Sequence, residues 1–247
     1  MASFAPPPDR TSRILRHERL IAACGIAILI ALSWGFLIAG AGMDSSMDMA
    51  AMQPPFGAMV LMWWLMMVAM MLPSAAPAIL LYGRVRWMRG EDPAVAPTWI
   101  FMSAYLGIWL LFSLVAALAQ LLFAGPAIAI RDPDVASGLL ILAGLYQLSP
   151  LKGACLRQCR SPAQFISRHW TPGVSGALRL GMLHGAYCVG CCWILMALLF
   201  VGGVMNFVWI AALTALVGIE KLAPGGRIFG LVAGAALIAW GAARIAA

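Results

Sequence analysis

Charged residues are scarce in this sequence. Of 247 residues, 16 are Lys or Arg and nine are Asp or Glu, which makes 10% of the chain charged, whereas soluble domains carry about 25%. Hydrophobic residues make up 63% of the chain, and the mean hydropathy is +0.93. This composition excludes a water-soluble globular enzyme. It predicts an all-α fold, a polytopic bundle of transmembrane helices in a lipid bilayer.

The motifs of common enzymes are also missing. The chain has no Walker loop, no Ser/His/Asp set, no paired carboxylates inside an apolar run and no glycine-rich dinucleotide turn after a strand. Neither half of the chain repeats the other, so the inverted-repeat plan of many transporters has no support. These absences favour a binding or transport protein over an enzyme.

Seven apolar runs approach the length needed to cross about 30 Å of hydrocarbon. Their predicted bounds are 20–41, 56–82, 98–124, 135–151, 178–201, 206–219 and 227–240. They form one predicted helical domain, residues 20–247, which follows a mobile cytoplasmic tail, residues 1–19. We interpret the first run as an uncleaved anchor, because it is longer than the apolar part of a signal peptide.

The positions of Lys and Arg predict the orientation, because cytoplasmic loops carry an excess of both. If seven spans alternate, all of these residues except Arg131 and Arg244 fall on one side. The N-terminus is therefore expected in the cytoplasm and the C-terminus outside. The net charge of +7 then reflects topology, and no nucleic-acid partner is expected.

Methionine is concentrated in one part of the chain, with ten of its 16 copies between residues 43 and 71. Four of the ten belong to a predicted outer loop, residues 42–55. In the second span a helical stripe is formed by Met59, Met62, Met66 and Met70, with Met67 and Met71 beside it. Thioethers select Cu(I) over harder divalent ions, so Met62, Met66 and Met70 are candidate ligands. Ordinary packing is the alternative, because Met commonly fills irregular helix contacts.

The fifth span carries a second group of candidate ligands. At about 100° per residue, one helix face holds His184, Cys188, Cys191 and Cys192. Imidazole and thiolate suit Cu(I) and Zn(II), and an ionisable residue inside a span suggests function. A single helix cannot surround a metal, so ligands from the second span are also needed. The alternative is that the cysteines are small apolar fillers and His184 bonds to a neighbouring helix.

A further pair of cysteines follows the fourth span. Ser149 as cap and Pro150 at the first position predict a short helix that ends at Ser161-Pro162. Cys155 and Cys159 then share one face, where neighbouring cations favour thiolates for metal capture or thiol exchange. A purely structural role is the alternative.

The sequence also allows predictions for two further residues. Cys24, alone in the first span, is expected to be part of the core. Glu220, next to Lys221 at the inner end of the sixth span, is expected to pair with an inner-loop Arg. Binding of a proton or a metal is the alternative role of Glu220.

Four sequence motifs resemble those of a known protein family. They are Trp-Leu-Met-Met-Val-Ala-Met-Met-Leu-Pro at 64–73, the cysteine segment 152–162, His-Gly-x-Tyr-Cys-x-Gly-Cys-Cys-Trp at 184–193, and Glu220-Lys221. Over residues 56–245 the chain resembles the bacterial integral membrane family catalogued as domain of unknown function 2182, described as predicted metal-binding membrane proteins. The resemblance implies a metal-binding protein of the bacterial cytoplasmic membrane.

The first functional hypothesis is transport or delivery of a soft metal, foremost Cu(I) and secondarily Zn(II). The metal would pass from the outer methionines to His184 and the three cysteines of the fifth span, then to Cys155 and Cys159. Expected partners are the lipid bilayer, the metal ion, and a copper chaperone or membrane cuproenzyme. The alternative is a membrane thiol-disulfide oxidoreductase, in which Cys188 and Cys191 exchange with Cys155 and Cys159. A third hypothesis is an assembly subunit.

Overall fold

The fold is helical throughout the part of the chain that the structure describes. This computed structural model describes residues 9–43, 55–91, 95–124, 130 and 132–246. The helices are α1 Asp9–Met43, α2 Phe56–Met88, α3 Val95–Ala119, α4 Pro133–Leu148, α5 Pro150–Arg160, α6 Pro162–His169, α7 Gly173–Ala197, α8 Leu199–Gly202, α9 Phe207–Leu222 and α10 Gly226–Ala246. A π-helical turn, Gln120–Ala124, extends α3. Most of the expected Met-rich loop 42–55 lies outside the described residues. Helix α1 begins at Asp9, so residues 9–19 of the expected tail are helical.

Five of the helical segments are long and apolar enough to cross a membrane. They are Glu18–Ala39, Phe56–Met88, Ala96–Leu122, Gly173–Gly202 and Gly226–Ala246. Helices α4 and α5 form a bent pair that brings the number to six if the pair is one span. Helix α9 has 16 residues and is too short to be counted by length alone. The predicted all-helical membrane fold is thus confirmed, while the number of seven spans and the orientation stay predictions.

The break between α4 and α5 follows from local sequence. Ser149 Oγ accepts a hydrogen bond from the backbone N–H of Lys152 at 3.2 Å, and Pro150 occupies the first position of α5. The predicted short helix after the fourth span is therefore confirmed. The axes of α4 and α5 differ by 63°, and α5 packs against α7.

Helix α2 continues through Pro73 and Pro77. Pro73 has no N–H to donate to the carbonyl of Ala69, which a regular helix would require. Trp34 of α1 supplies the missing donor, because its Nε1 lies 3.1 Å from the Ala69 oxygen. A neighbouring helix thus satisfies the freed backbone group, as the apolar environment demands.

Helices α3 and α7 approach each other closely at two glycines. A Cβ on Gly181 would overlap the carbonyl oxygen of Phe101, and a Cβ on Gly185 would lie 2.9 Å from Cβ of Ile108. These two glycines therefore allow the neighbouring helix to approach closely. Helix α3 also packs on α2, so α7 and the methionine-rich α2 both line the same core.

Candidate metal centre

Helix α7 buries all four of its candidate ligands. The exposed fraction is 2% for His184, 1% for Cys188 and Cys191, and 0% for Cys192. The thiols of Cys191 and Cys192 lie 3.1 and 2.9 Å from the carbonyl oxygen of Cys188, to which both donate. The shared helix face predicted by periodicity is therefore an interior face of the protein.

Cys188 is the central residue of this region. Its Sγ lies 3.1 Å from the hydroxyl of Tyr105 on α3 and 3.0 Å from Nζ of Lys221 on α9. The same sulfur is within hydrogen-bonding reach of the thiols of Cys191 and Cys192. A thiol surrounded by these groups is held in place by several contacts.

The short helix α5 brings a fourth thiol to the same place. The thiol of Cys159 lies close enough to Cys188 and Cys191 to interact with both. Cys155, one turn earlier, lies against α7 at Gly190, where an added Cβ would be 3.0 Å from its Sγ. The two groups of cysteines, which the sequence suggested at successive depths, thus meet at Cys159.

A thioether from α2 completes the group. Met71 Sδ lies 3.7 Å from Cys192 Sγ and 3.8 Å from Lys221 Nζ. We call Met71, Cys159, Cys188, Cys191 and Cys192 the sulfur cluster. Two sulfur atoms that share one metal at a bond length of about 2.3 Å are separated by about 3.8 Å in a tetrahedral site. The separation of Met71 from Cys192 is close to that value.

The methionines chosen from the sequence lie elsewhere on α2. Met66 and Met70 are buried in the core and Met62 is partly buried. Met71 belongs to the second methionine stripe, with Met67, and its sulfur contacts Cys192 of α7. The signal for Met71 was therefore present in the sequence, but periodicity alone did not indicate which stripe meets the cysteines.

Lys221 is the main residue that sequence reasoning missed. Its Nζ donates to Cys188 Sγ, to Met71 Sδ and to Ser74 Oγ, the last at 3.3 Å. An ammonium group has three N–H donors, so these three acceptors match its capacity. None of the ion pairs formed by the described side chains involves Lys221. The charged end of the Lys221 side chain therefore contacts two sulfur atoms and one hydroxyl oxygen.

The adjacent Glu220 belongs to a separate polar group. Its carboxylate pairs with Lys152 Nζ at 2.5 Å and accepts a hydrogen bond from Gln147 Nε2 at 2.6 Å. Lys152 also donates to Gln147 Oε1. All three side chains are buried. Glu220 forms an ion pair as expected, but its partner is Lys152 and not an Arg.

His184 lies in an aromatic pocket beside the cluster. Its ring centroid is 5.3 Å from that of Phe165, 5.7 Å from Tyr105 and 6.0 Å from Phe101. Nδ1 of His184 is buried and has no hydrogen-bond partner among the described residues. Buried polar atoms are rarely left without a partner, so this nitrogen is available to a ligand.

The cysteines are all free thiols, and Cys24 is exposed instead of forming part of the core. Within the described residues, no three His, Cys, Asp or Glu side chains already stand in positions that could hold a metal. The sulfur cluster is accordingly a group of neighbouring soft donors, and its side chains would have to move to coordinate an ion together.

Comparison with known proteins identifies a family. No curated protein and no solved structure matches the chain. Residues 60–244 match the sequence model of PpoB2, a family described as a copper chaperone. The match does not bear on the name domain of unknown function 2182, but it confirms the expected relation to copper. It spans about three quarters of the chain, and the protein therefore belongs to the PpoB2 family of copper chaperones.

Proposed function

We propose that this protein is a multi-pass membrane copper chaperone that holds Cu(I) at the sulfur cluster and passes it on. Copper is the cargo. The candidate ligands are the thiols of Cys188, Cys191, Cys192 and Cys159, two of which would bind the ion as thiolates, and His184 supplies a nitrogen beside them. The family match supports the metal, and the softness of the donors supports the Cu(I) state.

The observation that carries this proposal is the convergence of sulfur from three helices at one buried place. Helices α2, α5 and α7 contribute Met71, Cys159 and the three α7 cysteines. A single helix could not surround an ion, but ligands from three neighbouring helices can. Zn(II) also accepts thiolate and imidazole ligands, but the thioether favours Cu(I).

We also propose a route by which Cu(I) reaches and leaves the sulfur cluster. Met62, Met66 and Met70 would guide Cu(I) along α2 from the Met-rich loop 42–55. Cys155, which is less buried than the α7 cysteines, would pass it to an acceptor, such as a soluble copper chaperone or a membrane cuproenzyme. Weak thioethers ahead of stronger thiolates give a downhill order of affinity.

The topology we propose has seven spans, in a bacterial cytoplasmic membrane. The N-terminus is cytoplasmic and the C-terminus outside. The distribution of Lys and Arg supports this arrangement. The bent α4–α5 pair and the short α9 would then be the fourth and sixth spans, packed beside longer neighbours.

The proposed function is tested by metal content and thiol state. The full-length protein is purified anaerobically in detergent from copper-supplemented cells, and bound metals and free thiols are counted. We expect near-stoichiometric copper and reduced cysteines. A protein that contains zinc in place of copper after loading with both metals would overturn the Cu(I) assignment.

The oxidoreductase alternative has one observation in its favour, the contact of Cys159 with Cys188 across α5 and α7. Disulfide formation between them would need an electron acceptor to take two electrons and two protons. A metal-free protein with a reducible Cys159–Cys188 disulfide would support this alternative and contradict the copper proposal.

Replacement of Met71 by Leu should weaken Cu(I) binding. Leu nearly preserves volume and apolarity, so the change removes the sulfur while retaining the packing. Loss of one supporting group around a metal lowers affinity by roughly 10–100-fold, and we expect a loss in that range. Competition with a coloured Cu(I) chelator measures it. The matched control is Met67→Leu, an equally buried methionine one turn away. Equal affinities for the wild type and Met71→Leu would remove Met71 from the site.

A further inference from the structure

Lys221 places a positive charge at the sulfur cluster that no acidic side chain among the described residues balances. Its partners are two sulfur atoms and a hydroxyl, as described above. The neighbouring Glu220 does not compensate this charge, because its carboxylate is already paired with Lys152. Lys221 is itself buried, with 5% of its surface exposed. A buried cation without a carboxylate needs another anion beside it.

The first group that faces this charge is the thiol of Cys188. Its sulfur lies 3.0 Å from the Lys221 nitrogen, the closest of the three contacts. One ammonium and one thiolate form a neutral pair, which an apolar interior tolerates far better than a single charge. A negative charge at this sulfur would therefore balance the charge of Lys221.

Copper changes this balance in a defined way. A Cu(I) ion held by two thiolates forms a complex with one net negative charge, and thioether ligands such as Met71 add none. An ammonium beside that complex makes the whole site neutral. A divalent ion with the same two thiolates would leave the site with one positive charge inside the protein, which is costly to bury.

We infer that Lys221 is the built-in counter-cation of a bis-thiolate Cu(I) site, in which Cys188 and Cys192 are the thiolates and Met71 is the neutral third ligand. Lys221 is a specificity-determining residue that does not ligate the metal. It favours a monovalent ion over a divalent one. This inference rests on the proposed function and deepens it, because it assigns the charge that the site accepts.

The test compares Lys221→Met with Lys221→Arg. Affinities for Cu(I) and for Zn(II) are measured separately by chelator competition, anaerobically, on the full-length protein in detergent. A hydrogen bond to a charged group contributes enough that its loss weakens binding by roughly tenfold or more, so Lys221→Met should weaken Cu(I) binding by at least that factor. Zn(II) binding should not weaken in parallel, and Lys221→Arg should restore most of the Cu(I) affinity.

A matched control is Arg244→Met, which removes one positive charge from an exposed position on α10 and should leave both affinities unchanged. If Lys221→Met does not fold, Lys221→Gln removes the charge with a shorter polar side chain. Unchanged Cu(I) affinity in Lys221→Met overturns the inference. Equal weakening of both metals also overturns it, because that result indicates structural damage.

The same measurements separate this inference from the proposed function. If the wild type binds no Cu(I), the proposed function itself fails. If the wild type binds Cu(I) through the α7 cysteines but Lys221→Met binds it equally well, only the counter-cation role fails.

Discussion

Changing Cys188, Cys191 and Cys192 together to Ser is expected to abolish near-stoichiometric Cu(I) binding. Serine nearly preserves the size of each side chain but replaces soft sulfur with a hard hydroxyl, which has little affinity for Cu(I). Of the sulfur cluster only Met71 and Cys159 then remain, and a thioether with one thiol supplies only one of the two thiolates that the site needs. Copper content after anaerobic loading, with circular dichroism to check the helical fold, measures the effect.

Cys24→Ser is the matched control, because Cys24 is an exposed cysteine of α1 and should bind no copper. Single variants should then rank the thiols. Cys188→Ser is expected to reduce binding most, since Cys188 contacts every other thiol of the cluster as well as Lys221. Cys155→Ser should reduce it least. Copper retained in full by the triple variant would show that α7 does not hold the cargo.

Lys152→Met should destabilise the protein strongly, although it substitutes none of the sulfur ligands. The substitution removes the cation paired with Glu220 and leaves a buried carboxylate. Breaking a buried ion pair on one side costs about 3–5 kcal/mol. The ion pair also connects α5 to α9, so its loss loosens the two helices that carry Cys159 and Lys221. A lower midpoint of thermal unfolding in detergent is the measurement.

The double variant Lys152→Met with Glu220→Gln distinguishes charge from packing. It removes both charges, and the new amide can still bond to Gln147, so most of the lost stability should return. A double variant no more stable than Lys152→Met would contradict the ion-pair explanation. It would assign the stability to the packing of the Lys152 side chain.

Several features of the site were predictable because they are local. The common face of His184, Cys188, Cys191 and Cys192 follows from helical periodicity. The start of α5 follows from Ser149 and Pro150, and the close approach of α3 follows from Gly181 and Gly185. Capping, periodicity and side-chain size act over a few residues, so the sequence contains them directly.

The choice of Met71 could not be made from the sequence. Neighbouring residues of a helix point about 100° apart, so Met70 and Met71 face different neighbours. Which of the two methionine stripes meets α7 depends on the rotation of α2 against α3 and α7. Many contacts between the helices determine that rotation together, and no local sequence pattern predicts it.

The sequence by itself determined the membrane class, the helices, the clustering of soft ligands and the relation to copper. The tertiary structure decided which of these ligands meet. The bend between α4 and α5 places Cys159 close to Cys188. The packing of α9 places Lys221 against the sulfur of Cys188, whereas Glu220 forms an ion pair with Lys152. Composition and periodicity are properties of single segments, whereas the charge and geometry of a metal site arise only where separate helices touch.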